Sequence, residues 1–297
     1  MIHDILPHVL NNEFKVCDPK PTDFVIRYDG AKTLLKKVAT SGQEGASAVG
    51  YAIPRVGELP ALEGKTLADF EGHYLFSIDD MAFFLDDSIE AKPADTVATP
   101  EGYEFMCSRT FRTMNPVERM GGATAVHIAH WESLNKFCGR CGNVTIRGDH
   151  ERSIICPKCG NVVYPRISPV VIVAVRNGDK LLMAHNIDNP NPRLFLISGF
   201  VEVGESLEQA VHREVMEEAG LRVKNIRYFS SQPWAFSDSL IAGFTAELDG
   251  DDTIRMQKEE LSEAMWVKRE DIPEYETDVS ISCCLIENFR RGFTISE

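Results

Sequence analysis

The chain lacks any hydrophobic run able to cross a bilayer. Its longest obvious one, VVIVAV at 170–175, falls far short of the roughly 20 residues a spanning helix needs. Its opening, MIHDILPHVLNNEF, has no basic segment ahead of an apolar stretch, so no secretory leader is expected and a cytoplasmic protein is. Basic residues are scarce: 31 Lys and Arg face 45 Asp and Glu, a formal net charge of −14. That balance argues against broad, sequence-independent binding to nucleic acid, and an anionic substrate would need a metal cation or a local basic patch. Low-complexity tracts and long internal repeats are also missing. What remains is an ordinary globular composition, 297 residues with 43% hydrophobic and 26% charged, enough for one large core or two moderate ones.

Four of the eight cysteines form CGRC (Cys138, Cys141) and, fourteen residues later, CPKC (Cys156, Cys159). This is the spacing of a tetrahedral zinc site; a redox CxxC pair is the alternative. Gly139, Gly142 and Gly160 are expected to allow the tight turns around the thiolates. Four protein ligands leave no open position, so the zinc would be structural. Cys17, Cys107, Cys283 and Cys284 have no such spacing and read as reduced, packed cysteines.

Upstream, segments such as DFVIRYDG and HYLFSI read as strands, punctuated by PRVGELP and KPADTVATPEG, which predicts an N-terminal α+β domain over 1–120. GGATAVHIAHWESLNKF (121–137) is compatible with a helix leading into the ribbon, and 121–164 is assigned to that linker and ribbon. From 165 to 297 a further domain begins with two apolar runs around Asn177-Gly178-Asp179, a hairpin signal. NIDNPNPR then reads as a loop, and LFLISGF as a return to strand.

Between Gly199 and Leu221 the sequence GFVEVGESLEQAVHREVMEEAGL is dense in glutamate. Ser206 and Gln209 form a capping-box pattern, and Gly220 is placed to end the helix. Leu207, Val211 and Val215 recur as a core stripe, whereas Glu214, Glu217 and Glu218 share another face. REVMEE alone reads first as a solvated acidic face balanced by Arg213. Like charges at this spacing repel, however, and Mg2+ or Mn2+ would reverse the sign because carboxylate oxygens are the ligands hard cations prefer. His212 is expected to face solvent.

The complete pattern, Gly199, Glu205, Arg213-Glu214-Val215-Met216-Glu217-Glu218 and Gly220-Leu221, resembles the Nudix hydrolase signature at every fixed position. The resemblance implies an α/β (α+β) chain: a Nudix α/β/α sandwich preceded by a zinc ribbon and an N-terminal α+β domain. It implies that Glu214 and Glu218 bind Mg2+ or Mn2+, that Glu217 is a further ligand or takes part in activating water, that Arg213 orients the glutamates, and that Glu205 and Gly199 shape the loop. Water is then the nucleophile, and no Ser, Cys or His nucleophile is required.

SQPWAFSDS (231–239) resembles the SQPWPFPxS array of the NADH pyrophosphatase branch, with Ala235 and Ser237 where that array has prolines. Gln232, Pro233, Trp234, Ala235, Phe236, Ser237, Asp238 and Ser239 are thereby implied substrate contacts. Phe200, Trp234 and Phe236 could stack on a flat ring, although each taken singly could be a core aromatic. The same resemblance implies nicotinamide contacts at Glu151 and Tyr164, a substrate contact at Ser282, and further metal contacts at Glu260 and the Ser198 backbone. The activity implied is hydrolysis of NADH or NAD+ to nicotinamide mononucleotide and AMP, in a homodimer with structural Zn2+. Removal of a 5′ NAD cap from RNA by the same chemistry is the alternative, and a non-catalytic nucleotide sensor or nucleic-acid-binding protein is a third reading.

Overall fold

Val170–Val175 is apolar throughout because its strand is covered on both faces. In the computed structural model, which describes residues 1–39, 49–59, 66–89, 99–188, 191–275 and 280–292, it belongs to the strand Ser168–Asn177. The helices are α1 (Pro116–Leu134), α2 (Leu207–Ala219) and α3 (Ile281–Arg290). Val171, Val173 and Val175 pack with Ala210, Val211, Val215 and Ala219 of α2. Ile172 and Ala174 point the other way, into Ile281, Leu285, Ile286 and Phe289 of α3. The sheet between them runs Val223–Trp234, Ser239–Leu248, Ser168–Asn177, Lys180–Asn186, Leu261–Lys268, and Ile197–Phe200 also pairs with Ser168–Asn177. Only the pairing of Ser168–Asn177 with Ser239–Leu248 is parallel. The hairpin at Asn177 turns through Gly178, whose φ of 61° suits a residue without a Cβ. This unit comprises residues 1–4 and 167–297.

Residues 5–166 form the other unit. Phe24–Ile26, inside the first segment expected as a strand, and Gly72–Ile78, which covers the second and one residue before it, join Leu10–Asn11 and Met81–Asp86 in a four-stranded sheet. A second sheet contains Val49–Ala52, Lys32–Ala39 and Tyr103–Cys107. The punctuating residues 60 and 92–98 lie outside the described residues. Phe24 and Phe76 stack on Phe83 with centroids 4.5 and 4.8 Å apart. Helix α1 starts earlier than the expected 121: Asn115 Oδ1 accepts from Glu118 N at 3.0 Å and Pro116 occupies the first turn, both of them local start signals. Gly121 and Gly122 are close-approach positions, since a Cβ would lie 2.1 Å from Phe83 Cζ and 2.4 Å from Phe111 Cδ1. With Val117, Met120, Ala125, Val126 and Trp131 in the same cluster, α1 is a core helix of this unit.

The ribbon lies in this unit as a three-stranded sheet of Ile146–Arg147, Ile154–Ile155 and Val162–Val163. Among the described residues no helix is long and apolar enough to cross a membrane.

Candidate active site and metal centre

The two CxxC turns repeat one geometry. Gly142 N donates to Cys138 O at 2.8 Å and Gly160 N to Cys156 O at 2.9 Å, with φ of 71° and 68° at the two glycines. Gly139 adopts no such φ, so only two of the three expected glycines are required for conformation. The four Sγ atoms lie within 4.8 Å of one another, with Cys138–Cys159 at 3.6 Å and Cys141–Cys156 at 3.5 Å. Zn–S bonds of ~2.3 Å place tetrahedral sulfurs about 3.8 Å apart, so the donor set fits zinc in both number and spacing.

Helix α2 begins and ends as its sequence dictates. Ser206 N donates to Gln209 Oε1 at 2.8 Å, Gln209 N donates to Ser206 Oγ at 3.2 Å, and Gly220 closes the helix with φ of 68°. Its apolar stripe fixes the rotation that buries Glu214 and Glu218, while Glu217 and His212 are exposed. Arg213 ties the acidic groups together. Its Nε and Nη2 donate to the two Glu205 oxygens at 2.6 and 2.9 Å, Nη1 to Glu214 at 2.7 Å and Glu217 at 3.0 Å, and Nη2 also to the Phe200 carbonyl at 2.9 Å.

Gly199 leaves the space that Glu214 occupies, because a Cβ there would lie 2.0 Å from the Glu214 carboxyl carbon. Gly199→Ala is therefore expected to displace that carboxylate and lower kcat at least tenfold, with roughly native thermal stability. Wild-type turnover by a folded Gly199→Ala protein would show that Glu214 placement does not matter.

Among the described residues no basic side chain offsets the charge of Glu218. Burial first, then the charges of Glu214, Glu260 and Glu217, push its carboxyl up to about 8. Glu214 is raised by burial and by Glu217 and Glu260, against the opposing pull of Arg213. Glu260 and Glu217 raise both carboxyls. Gln257, which the sequence reading did not single out, holds this region together: its N donates to Glu218 O at 3.0 Å and its Nε2 to Glu260 Oε1 at 3.2 Å. No motif marks it. Among the described residues the only cluster of three or more ligand atoms close enough to hold one metal ion is the cysteine one, so no three of the glutamates converge to that spacing. A buried acidic group with like-charged neighbours and no basic partner is nevertheless what a divalent cation would stabilise.

The 231–239 array is spread over several environments. Gln232 is fully buried and its Oε1 accepts from Ile281 N at 2.7 Å, which ties the array to the start of α3. On α3, the buried Ser282 Oγ has no hydrogen-bond partner among the described residues. Trp234 and Phe236 meet edge to face at 4.9 Å, and Pro233 is exposed. Ala235–Ser237 forms a short 3-10 turn, followed by Asp238 at φ of 52°. Ser239 Oγ donates to the Ser237 carbonyl at 2.8 Å and Ser168 N to the Asp238 carbonyl at 2.8 Å. These bonds fix the turn where the two prolines are replaced. Ser198 is exposed on its strand and Phe200 is half exposed. Glu151 and Tyr164 belong to the 5–166 unit, where Tyr164 Oη donates to Glu151 Oε1 at 2.8 Å.

Residues 166–284 match the NUDIX domain family and residues 133–164 the NADH pyrophosphatase zinc ribbon domain. A protein of Mannheimia succiniciproducens named NAD-capped RNA hydrolase NudC is 38% identical over 209 residues, which cover 67% of this chain and 75% of that protein. A protein of the same name from Photobacterium profundum is 42% identical over 163 residues, covering 55% of this chain. The chain spans only 61% of the length of that relative. A solved NUDIX hydrolase from Nitrosomonas europaea is 26% identical over 52% of this chain and 90% of its own, with a TM-score of 0.46. The signature helix and the ribbon thus match the two domain families in the order they occupy here, and the chain belongs to the Nudix hydrolase family.

Proposed function

We propose that the protein is a metal-dependent pyrophosphatase that splits NADH and NAD+ into nicotinamide mononucleotide and AMP. The observation that carries this reading is the burial of Glu218 among the like charges of Glu214, Glu217 and Glu260, with Glu214 held by the Arg213 clamp. Glu214, Glu218 and Glu260, with Glu217 and the Ser198 carbonyl, would hold Mg2+ or Mn2+, which when bound offsets phosphoryl charge and lowers the pKa of water. Arg213 keeps Glu214 and Glu217 in register while its other face anchors the Glu205 loop. Exposed Glu217 would take the proton of attacking water, and Trp234, Phe236 and Phe200 would offer faces for a nicotinamide or adenine ring.

A second reading, removal of the NAD cap from RNA, is favoured by the names of the relatives and needs the same pyrophosphate chemistry. The −14 charge disfavours a long basic track for an RNA tail. Equal amounts of NADH, NAD+, ADP-ribose and NAD-capped RNA in one competition assay separate the readings. Preferential consumption of NADH supports the first, and preferential decapping supports the second.

The same reading includes a cytoplasmic homodimer whose pockets draw on both subunits. Exposed Phe137, Val144, Ile146 and Tyr164 on or beside the ribbon are apolar surface that a partner copy would cover. If Glu151 and Tyr164 serve the partner's glutamates, mixing inactive Tyr164→Ala and Glu218→Gln dimers should restore activity. Random exchange makes half the dimers mixed, each with one intact pocket, or about a quarter of wild-type sites. No recovery in verified heterodimers would place all these residues in one subunit's pocket.

A further inference from the structure

Helix α2 ends in backbone carbonyls that its own turns leave open, and the segment leading into Leu261–Lys268 meets two of them. Arg255 N donates to the Ala219 carbonyl at 2.8 Å and Gln257 N to the Glu218 carbonyl at 3.0 Å. From Gln257 the chain turns back, since the Gln257 carbonyl accepts from Glu260 N at 3.3 Å and from Leu261 N at 3.0 Å. The Glu260 carbonyl in turn accepts from Ile187 N at 2.9 Å, and Leu261 pairs with Asn186. The backbone of Glu260 is thereby held on both sides, and its side-chain torsions are what remain to be set.

The surroundings of Glu260 work against a single setting. Its charge is felt at both Glu214 and Glu218. An exposed carboxylate with like-charged neighbours lowers its energy by swinging out into water. The Glu260 carboxylate instead accepts from Gln257 Nε2 through Oε1 at 3.2 Å. Arg213 plays the corresponding part for Glu214 and Glu217, but with a full positive charge. An amide donor holds a carboxylate without cancelling the charge that attracts a cation, and the bond through Oε1 leaves Oε2 for a metal.

We infer that Gln257 is a positioning residue for the divalent cation: its side-chain amide keeps Glu260 turned toward the other glutamates, while its backbone amide ties the same residue to the helix that carries Glu218. The inference rests on the proposed role of Glu214, Glu218 and Glu260 as cation ligands. It adds a residue that touches neither metal nor substrate and acts through Glu260.

Mn2+ binding to the full chain, with free ion counted by electron paramagnetic resonance at constant pH, tests it. Gln257→Met keeps the length of the side chain and the backbone bond to Glu218, and removes only the amide. Its Mn2+ Kd is expected to rise about tenfold, the lower end of what loss of a ligand-orienting hydrogen bond costs. Its Tm without added Mn2+ should stay within about 2 °C of wild type, since one exposed hydrogen bond is worth little to folding. In a Glu260→Gln background the same substitution should change the Kd less than about twofold, because its effect passes through the missing carboxylate. Wild-type Mn2+ affinity in Gln257→Met overturns the inference. So does a full tenfold loss in the Glu260→Gln background, or a metal-free Tm lowered by more than about 5 °C, which would make the side chain a support for the loop. Glu218→Gln keeps the two levels apart. If wild type binds no more Mn2+ than Glu218→Gln, the metal site itself falls and the inference with it, whereas tight wild-type binding unchanged in Gln257→Met removes the inference alone.

Discussion

Glu218→Gln is expected to lower kcat by about 10²-fold or more while the fold is retained, a loss of roughly 2.7 kcal/mol of transition-state stabilisation. The substitution keeps the size of the side chain and removes the charge. A second readout distinguishes a metal ligand from a merely structural carboxylate. Because the folded-state pKa of Glu218 is raised from 4.5 to about 8, its burial is tolerated best while it is protonated. That advantage is present below about 4.5 and is lost as pH rises through about 8. In EDTA, wild-type Tm should therefore fall across this window relative to Glu218→Gln, and the variant should be at least as stable as wild type at pH 8. Mg2+ or Mn2+ should restore wild type and not the variant, with affinity rising toward pH 8 as the ligand deprotonates. Activity within threefold of wild type would remove Glu218 from the metal site.

Cys138→Ser or Cys156→Ser is expected to release zinc and to lower the Tm by about 10 °C or more, because a structural metal contributes its binding energy to folding. Few other forces could hold the ribbon. Its strands are two residues each, and Phe137, Val144 and Ile146 are exposed, so little apolar surface is buried to replace the ion. Zinc measured by elemental analysis should fall from one per chain to none. A zinc-free variant with native Tm and activity would show that the four thiols serve another purpose.

The parts legible in the sequence were those set by local rules. The capping box at Ser206, the left-handed Gly220, the hairpin at Gly178 and the CxxC knuckles each depend on a few neighbouring residues. The start of α1 is equally local, set by the Asn115 cap and by Pro116 in the first turn rather than at the expected Gly121. Contacts formed across the fold were not legible. Nothing adjacent to Gln232 says that its amide would be buried against Ile281, and nothing adjacent to Gln257 links it to Glu260. The role of Gly199 likewise depends on Glu214, fifteen positions away in sequence and touching only after the strand and helix pack.

The most direct test of the catalytic reading is hydrolysis of NADH by the full chain with Mg2+ or Mn2+ in H2(18)O, with products followed by mass spectrometry. The expected result is reduced nicotinamide mononucleotide plus AMP, one 18O in one of the two phosphates, and no turnover in EDTA or with Glu218→Gln. Release of dihydronicotinamide with ADP-ribose, or cleavage unaffected by chelation, would contradict metal-dependent attack on the pyrophosphate.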